Sequence, residues 1–202
     1  MIIQQKQLKP LLAELIGTFT LIAVVLFSIN NPLFPIATPL LAAIVLGTFV
    51  YIVGSVSGSH LNPAITIGLA SIGKIKTSTM LSYIGAQILG AVLAKVALVS
   101  FVAKPVTASM FTSTSVGLAE ILGASIFAFG VAAVVMGKAQ KELSGVVVGA
   151  SLFIGISLAA IASQGVLNPA VALALGSFST SYSLGPIIGA VIGFNLYKYL
   201  SS

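Results

Sequence analysis

The chain has 202 residues, of which 58% are hydrophobic and 6% are charged, and its mean hydropathy is +1.17. A soluble domain carries roughly a quarter charged residues, so this composition excludes an ordinary soluble protein and makes the lipid bilayer the predicted partner. The net charge of +6 reflects nine lysines scattered singly or in pairs. They lack the accompanying aromatic residues that stack bases, which argues against a nucleic-acid partner.

Six hydrophobic runs are each close to the ~20 residues that span the hydrocarbon of a bilayer. In chain order they lie near residues 11–29, 38–57, 78–101, 116–137, 144–163 and 183–200. Six alternating spans place Lys104 on one side of the membrane and most lysines on the other, namely Lys6, Lys9, Lys74, Lys76, Lys138, Lys141 and Lys198. The positive-inside rule therefore predicts a multi-pass protein with both termini in the cytoplasm. We expect it in the plasma membrane, with Lys95 of the third run reaching toward the outer interface.

The chain also contains an internal repeat. AELIGTF at residues 13–19 returns as AEILGASIF at residues 119–127, and LNPAIT at residues 61–66 returns as LNPAVA at residues 167–172. Both pairs are separated by the same 106 positions. Because each half holds three spans, an odd number, the second half must enter the membrane from the opposite face. The sequence therefore predicts one transmembrane domain over residues 1–202, with inverted repeats at about 8–101 and 114–200.

Each LNPA segment predicts a helix that is too short to span. Roughly ten mostly apolar residues separate Asn62 from Gly73, and a similar stretch lies between Asn168 and Gly176. Such a helix is about 15 Å long, half the hydrocarbon thickness. A single Asn-Pro pair is usually an ordinary helix start, but two copies at the repeat offset favour a functional site. Entry from opposite faces brings the positive N-terminal ends of both half-helices together near the midplane.

Polar segments precede both half-helices, SVSGSH at residues 55–60 and ASQG at residues 162–165. Non-helical backbone at membrane depth is tolerated where it is buried in protein or lines water. These segments therefore predict a narrow polar path, with pore-loop backbone from Gly58, Ser59, His60, Gln164 and Val166.

SGSHLNPAIT and the later LNPA, each following an AE-x-x-G element by the same interval, resemble the aquaporin or major intrinsic protein family over nearly the whole chain. The resemblance implies an all-α membrane fold, an aquaporin-like bundle of six transmembrane helices plus two re-entrant half-helices. It also implies a passive channel that assembles as a homotetramer with one pore per subunit. Its pore motifs are Asn62, Pro63, Ala64, Asn168, Pro169 and Ala170, and the two Asn amides donate hydrogen bonds to the permeating molecule.

Three titratable residues within or beside the predicted membrane segments have two interpretations each. Glu14 and Glu120 can relay protons in a transporter or accept hydrogen bonds from the re-entrant backbone. The family resemblance favours this structural role. His60 can act as a pH sensor, but it directly precedes the first LNPA, where we expect it to brace the loop.

The chain departs from the family at the constriction that selects the permeant. The resemblance implies an arginine three residues after the second asparagine, where this chain has Val171, and the whole chain contains no arginine. The resemblance implies three further filter positions, found by counting without gaps from each LNPA segment. They are Ala42, Ile156 and Gly165. A ring of small or apolar residues predicts passage of solutes larger than water, with ammonia, urea, glycerol and hydrogen peroxide as candidates. An apolar ring can instead restrict wetting of the constriction and lower the rate of water flow.

The composition also bears on other classes of function. With no Asp, no Cys and one His, the chain lacks a clustered acid, base or metal-ligand set, so we expect neither an enzyme nor a cofactor. Two alternatives to a channel remain open. One is a secondary transporter, which also uses inverted repeats and broken helices; the other is a non-conducting structural membrane protein.

Overall fold

The computed structural model describes residues 2–31, 33–102 and 112–202, so Lys104 lies outside the described residues. The described part of the chain forms eight α-helices: α1 Ile2–Ile29, α2 Thr38–Ser57, α3 Pro63–Ser71, α4 Thr77–Phe101, α5 Thr114–Val135, α6 Ser144–Ala159, α7 Pro169–Leu175 and α8 Thr180–Ser201. A short 3-10 turn, Lys141–Leu143, precedes α6. Both halves follow the order long, long, short, long. This arrangement confirms the predicted all-α bundle with two half-helices.

Five helical segments of the described chain are long and apolar enough to cross a membrane. They are Leu8–Ile29, Thr38–Ser57, Thr77–Phe101, Thr114–Val135 and Lys141–Ala159. The sixth predicted span is α8, which has 22 residues but carries polar side chains toward both ends. The observed bounds differ from the predicted ones mainly in α1, which begins at Ile2, and in α6, which ends at Ala159 rather than at 163.

The long helices approach one another closely where glycines face a neighbouring backbone. A Cβ atom on Gly189 or Gly193 of α8 would collide with the carbonyl oxygens of Ile121 and Ser125 of α5. Between α2 and α6, a Cβ on Gly149 would lie 2.6 Å from the carbonyl oxygen of Ala43. Small residues at these crossings therefore bring the helix backbones into contact, as is common in membrane bundles.

The two half-helices join the halves of the bundle. The half-helix α3 packs mainly against α8, and α7 packs mainly against α4, so each lies on the last long helix of the opposite half. Phe194 of α8 is fully buried and faces Gly68 of α3. The outer faces of the long helices carry exposed large apolar side chains such as Leu81, Leu118 and Val146, which suits contact with lipid.

The glycine crossings lead to a stability prediction. We expect G189A to lower the free energy of unfolding by about 1–3 kcal/mol, because the new methyl group displaces the backbone of α5. The matched control is G85A, since a Cβ on Gly85 meets no atom within 4 Å. It should be neutral or stabilising by up to ~1 kcal/mol. Helical circular dichroism on heating in detergent measures both, and equal melting of the two variants would contradict the close crossing.

Candidate functional site

Both half-helices begin with the same cap. The Asn62 Oδ1 atom accepts a hydrogen bond of 2.8 Å from the backbone N–H of Ala64, and Pro63 is the first helical residue. In the second half, Asn168 Oδ1 accepts a 3.0 Å hydrogen bond from the Ala170 N–H. Asn satisfies a free N–H in the first turn, and proline lacks the donor that would go unpaired there. The LNPA segment therefore encodes a sharp helix start at membrane depth.

The asparagine amides cross between the halves. Asn62 Nδ2 donates to the carbonyl oxygen of Leu167 at 2.9 Å, and Asn168 Nδ2 donates to that of Leu61 at 3.0 Å. Each amide nitrogen carries two hydrogens, so each side chain has a second N–H beyond these two bonds. Both leucines adopt the left-handed backbone region, with φ of 49° and 51°. A non-glycine residue in that region is strained by ~1–3 kcal/mol, which the surrounding contacts must offset.

Two buried carboxylates hold the backbone that leads into these leucines. Glu14 accepts hydrogen bonds from the Ser57 hydroxyl at 2.7 Å and from the N–H groups of His60 and Leu61 at 2.9 and 2.8 Å. Glu120 and its three partners repeat this pattern, with the Ser163 hydroxyl at 2.7 Å and the N–H groups of Val166 and Leu167 at 2.9 and 2.7 Å. Both glutamates are 0% exposed. Each carboxylate therefore binds the loop beside it through three hydrogen bonds.

The first half adds side chains without a counterpart in the second. Gln87 Nε2 donates to Glu14 Oε2 at 2.8 Å and to Thr66 Oγ1 at 2.9 Å. The His60 Nδ1 atom lies 3.1 Å from the same Thr66 hydroxyl, and its ring packs edge-on against Tyr83. Sequence reasoning missed Gln87 and Thr66. The signal for Gln87 was a lone amide within the apolar third span.

A cavity of about 300 Å³ lies along α7 and is called the large cavity. Asn62 and Asn168 line it, as do His60, Gln164 and Val166 of the predicted pore loops. The four residues predicted for the filter also lie on its wall, namely Ala42, Ile156, Gly165 and Val171. In the described part of the chain, no carboxylate and no lysine lines this cavity. Neutral polar groups therefore meet a mostly apolar wall.

A second cavity of about 40 Å³ lies along α3 and is called the small cavity. It shares Leu46, His60 and Phe127 with the large cavity, so the two spaces adjoin at these residues. Gly58 and Ser59, predicted as pore-loop backbone, lie on its wall. Aliphatic side chains form the rest, namely Val50, Ile65, Leu69, Val131, Val134, Val135 and Val148. Phe127, which sequence reasoning did not single out, lines both cavities.

The carboxylate contacts can be tested by removing one charge. We expect E120Q to lower the free energy of unfolding by ~1–3 kcal/mol, because the new amide nitrogen faces buried donors and leaves one of them unpaired. Glu142 is an exposed carboxylate in the 3-10 turn, so E142Q is the matched control and should unfold like wild type. Thermal unfolding in detergent distinguishes them. Wild-type stability of E120Q would show that the carboxylate does not hold the loop.

Comparisons with known proteins identify the family. A family model described as Major intrinsic protein matches residues 1–197. Probable aquaporin NIP7-1 from Arabidopsis thaliana is 31% identical, over 96% of this chain and 77% of its own length. Aquaporin Z from Photorhabdus laumondii is 28% identical, over 96% and 97% of the two chains. A probable glycerol uptake facilitator protein from Thermotoga maritima is 30% identical, over 75% and 78%.

The fold comparison agrees with the sequence comparisons. The X-ray structure of the aquaglyceroporin from Plasmodium falciparum superposes with a TM-score of 0.68 at 18% sequence identity, covering 96% of this chain and 95% of that one. At this coverage the likeness extends over both halves of the chain. The chain therefore belongs to the major intrinsic protein family, whose members are membrane channels and not enzymes.

Proposed function

We propose that the chain is a passive channel for water and small uncharged solutes, which pass from the large cavity to the small cavity beside Asn62 and Asn168. The observation that carries this proposal is the pair of asparagine amides where the two half-helices begin. Each amide uses one N–H in a bond to the opposite half and has a second N–H, and both asparagines lie on the wall of the large cavity. A permeant that leaves bulk water needs replacement hydrogen bonds at this depth. The two amides supply them.

The half-helices also explain why neutral molecules are favoured. Each half-helix has a partial positive charge at its N-terminus, and both N-termini lie at the asparagine pair. A cation there meets two positive dipole ends, and in the described part of the chain no carboxylate lines either cavity to offset them. Water and uncharged solutes do not incur this electrostatic cost.

The wall of the large cavity supports a broad range of permeants. Ala42, Ile156, Gly165 and Val171 form the proposed filter, and none of them has a polar side chain. The relatives include an aquaporin and a probable glycerol uptake facilitator, which supports water and glycerol as permeants. Ammonia, urea and hydrogen peroxide are further uncharged candidates.

We extend the proposal to assembly and orientation. The chain forms one channel domain over residues 1–202, with inverted repeats at about 8–101 and 114–200, and works as a homotetramer in the plasma membrane. Family membership supports the tetramer, and lysines on alternate connections support cytoplasmic termini. In this orientation the large cavity opens to the outside and the small cavity to the cytoplasm.

Secondary transport is the main alternative, and the site argues against it. A coupling carboxylate must exchange protons or ions with the permeation path. Glu14 and Glu120 are instead buried behind the pore loops, and both oxygens of each carboxylate accept hydrogen bonds. The described cavities therefore lack an acidic group suited to coupling.

Stopped-flow light scattering on proteoliposomes tests the channel proposal. Osmotic water flux and the uptake of glycerol and urea should exceed those of empty liposomes and should not saturate with concentration, because no conformational cycle limits them. Saturable uptake that follows an ion gradient would favour a transporter. Flux equal to that of empty liposomes for every solute would favour a non-conducting protein.

The filter assignment generates a separate prediction at Val171. We expect V171R to reduce glycerol and urea flux at least about tenfold, because a long, charged guanidinium would enter the large cavity and bind solvent there. V171L is the control, since it adds bulk without charge and should have a much smaller effect. The same uptake assay measures both. Wild-type glycerol flux through V171R would show that Val171 does not line the permeation path.

A further inference from the structure

The repeat assigns each proposed filter residue a partner in the other half. The four residues on the wall of the large cavity are called the large-cavity ring. The positions 106 residues away are Val148 for Ala42, Val50 for Ile156, Ser59 for Gly165 and Ile65 for Val171.

All four partner residues line the small cavity. They are called the small-cavity ring. Sequence repetition and cavity geometry are independent observations, and they select the same four positions. The repeat therefore places two equivalent rings, one on the wall of each cavity.

The two rings differ in bulk. Three positions carry a larger side chain in the small-cavity ring, where Val148 replaces alanine, Ser59 replaces glycine and Ile65 replaces valine. Val50 alone is smaller than its partner. The cavity volumes follow the same order, with about 40 Å³ beside the small-cavity ring and about 300 Å³ beside the large-cavity ring. At roughly 10–15 Å³ of such space for one water molecule, the small cavity holds only a few.

Ser59 gives the small-cavity ring one polar side chain. Its hydroxyl oxygen is buried and has no hydrogen-bond partner in the described part of the chain. An unpaired buried hydroxyl costs free energy unless water or a ligand occupies the site. The other three ring residues are aliphatic, so the hydroxyl of Ser59 is the side-chain group of this ring that can replace a hydrogen bond of the permeant.

We propose that the small-cavity ring, and not the large-cavity ring, sets the flux and the upper size limit of permeation, with the Ser59 hydroxyl binding the permeant as it passes. The proposal rests on the channel function and names the residues that limit it. A solute entering the ring loses most of its hydration within an aliphatic wall and regains one hydrogen bond from Ser59. Selection is therefore strongest on the α3 side of the asparagine pair.

A reciprocal pair of substitutions tests which ring limits flux. V148A removes two methyl groups from the small-cavity ring, and A42V adds two to the large-cavity ring. We expect V148A to raise glycerol flux in proteoliposomes about three- to tenfold, and A42V to lower it by a smaller factor. The control is V146A, because Val146 is 59% exposed on the outer face of α6. Gel filtration checks that each variant is folded.

The outcomes separate this proposal from the channel function. Suppose that wild-type flux exceeds that of empty liposomes, V148A gives no gain and A42V gives a strong loss. That result would overturn the proposal that the small-cavity ring limits flux, and the channel function would stand. If wild type conducts poorly and V148A conducts well, the result would support the small-cavity ring as the part of the pore that limits flux. If neither conducts water or any solute, the channel function and the ring both fail.

The role of Ser59 has its own test. S59A keeps the Cβ atom and removes the hydroxyl, so the cross-section changes little while the hydrogen bond is lost. We expect osmotic water flux to fall about three- to tenfold, whereas S55A, at an exposed serine of α2, should conduct like wild type. Equal water flux in S59A and S55A would exclude Ser59 as a binding group.

Discussion

Crossed hydrogen bonds between the two halves hold the centre of this molecule together. Asn62 donates to the carbonyl of Leu167, and Asn168 donates to the carbonyl of Leu61. Each bond fixes a strained, left-handed leucine of the opposite loop, and both asparagines lie on the wall of the large cavity. Loss of either bond would leave a buried polar group unpaired at a cost of ~1–3 kcal/mol. Pore formation and the attachment of the halves therefore depend on the same atoms.

The backbone contacts are nearly symmetric, whereas the cavity walls are not. Glu14 and Glu120 accept equivalent hydrogen bonds from equivalent loops. Side chains break the symmetry, since Gln87 and Thr66 extend the network in the first half alone, and the ring along α3 is bulkier than the ring along α7. A duplicated scaffold thus supplies the polar junction, and substitutions on its walls determine what passes.

The sequence predicted the fold and the asparagine junction because both depend on strong, repeated signals. Two LNPA copies at one offset specify two helix starts, and apolar runs of sufficient length specify the spans. The end of α6 at Ala159 was missed because Ser163 bonds to Glu120, a tertiary contact that hydrophobicity does not encode. The hydrogen bonds of Gln87 and the place of Phe127 on the walls of both cavities bring together residues far apart in the chain. Such contacts follow from packing and leave no local pattern.

The most direct test of the asparagine junction is a paired measurement of water flux and proton leak in the same wild-type proteoliposomes, loaded with a pH-sensitive dye. Two half-helix N-termini meeting at Asn62 and Asn168 should pass water and repel hydrated protons. We predict osmotic water flux well above that of empty vesicles, with proton leak equal to theirs. Water flux no greater than that of empty vesicles, or a proton leak that rises with water flux, would contradict this mechanism.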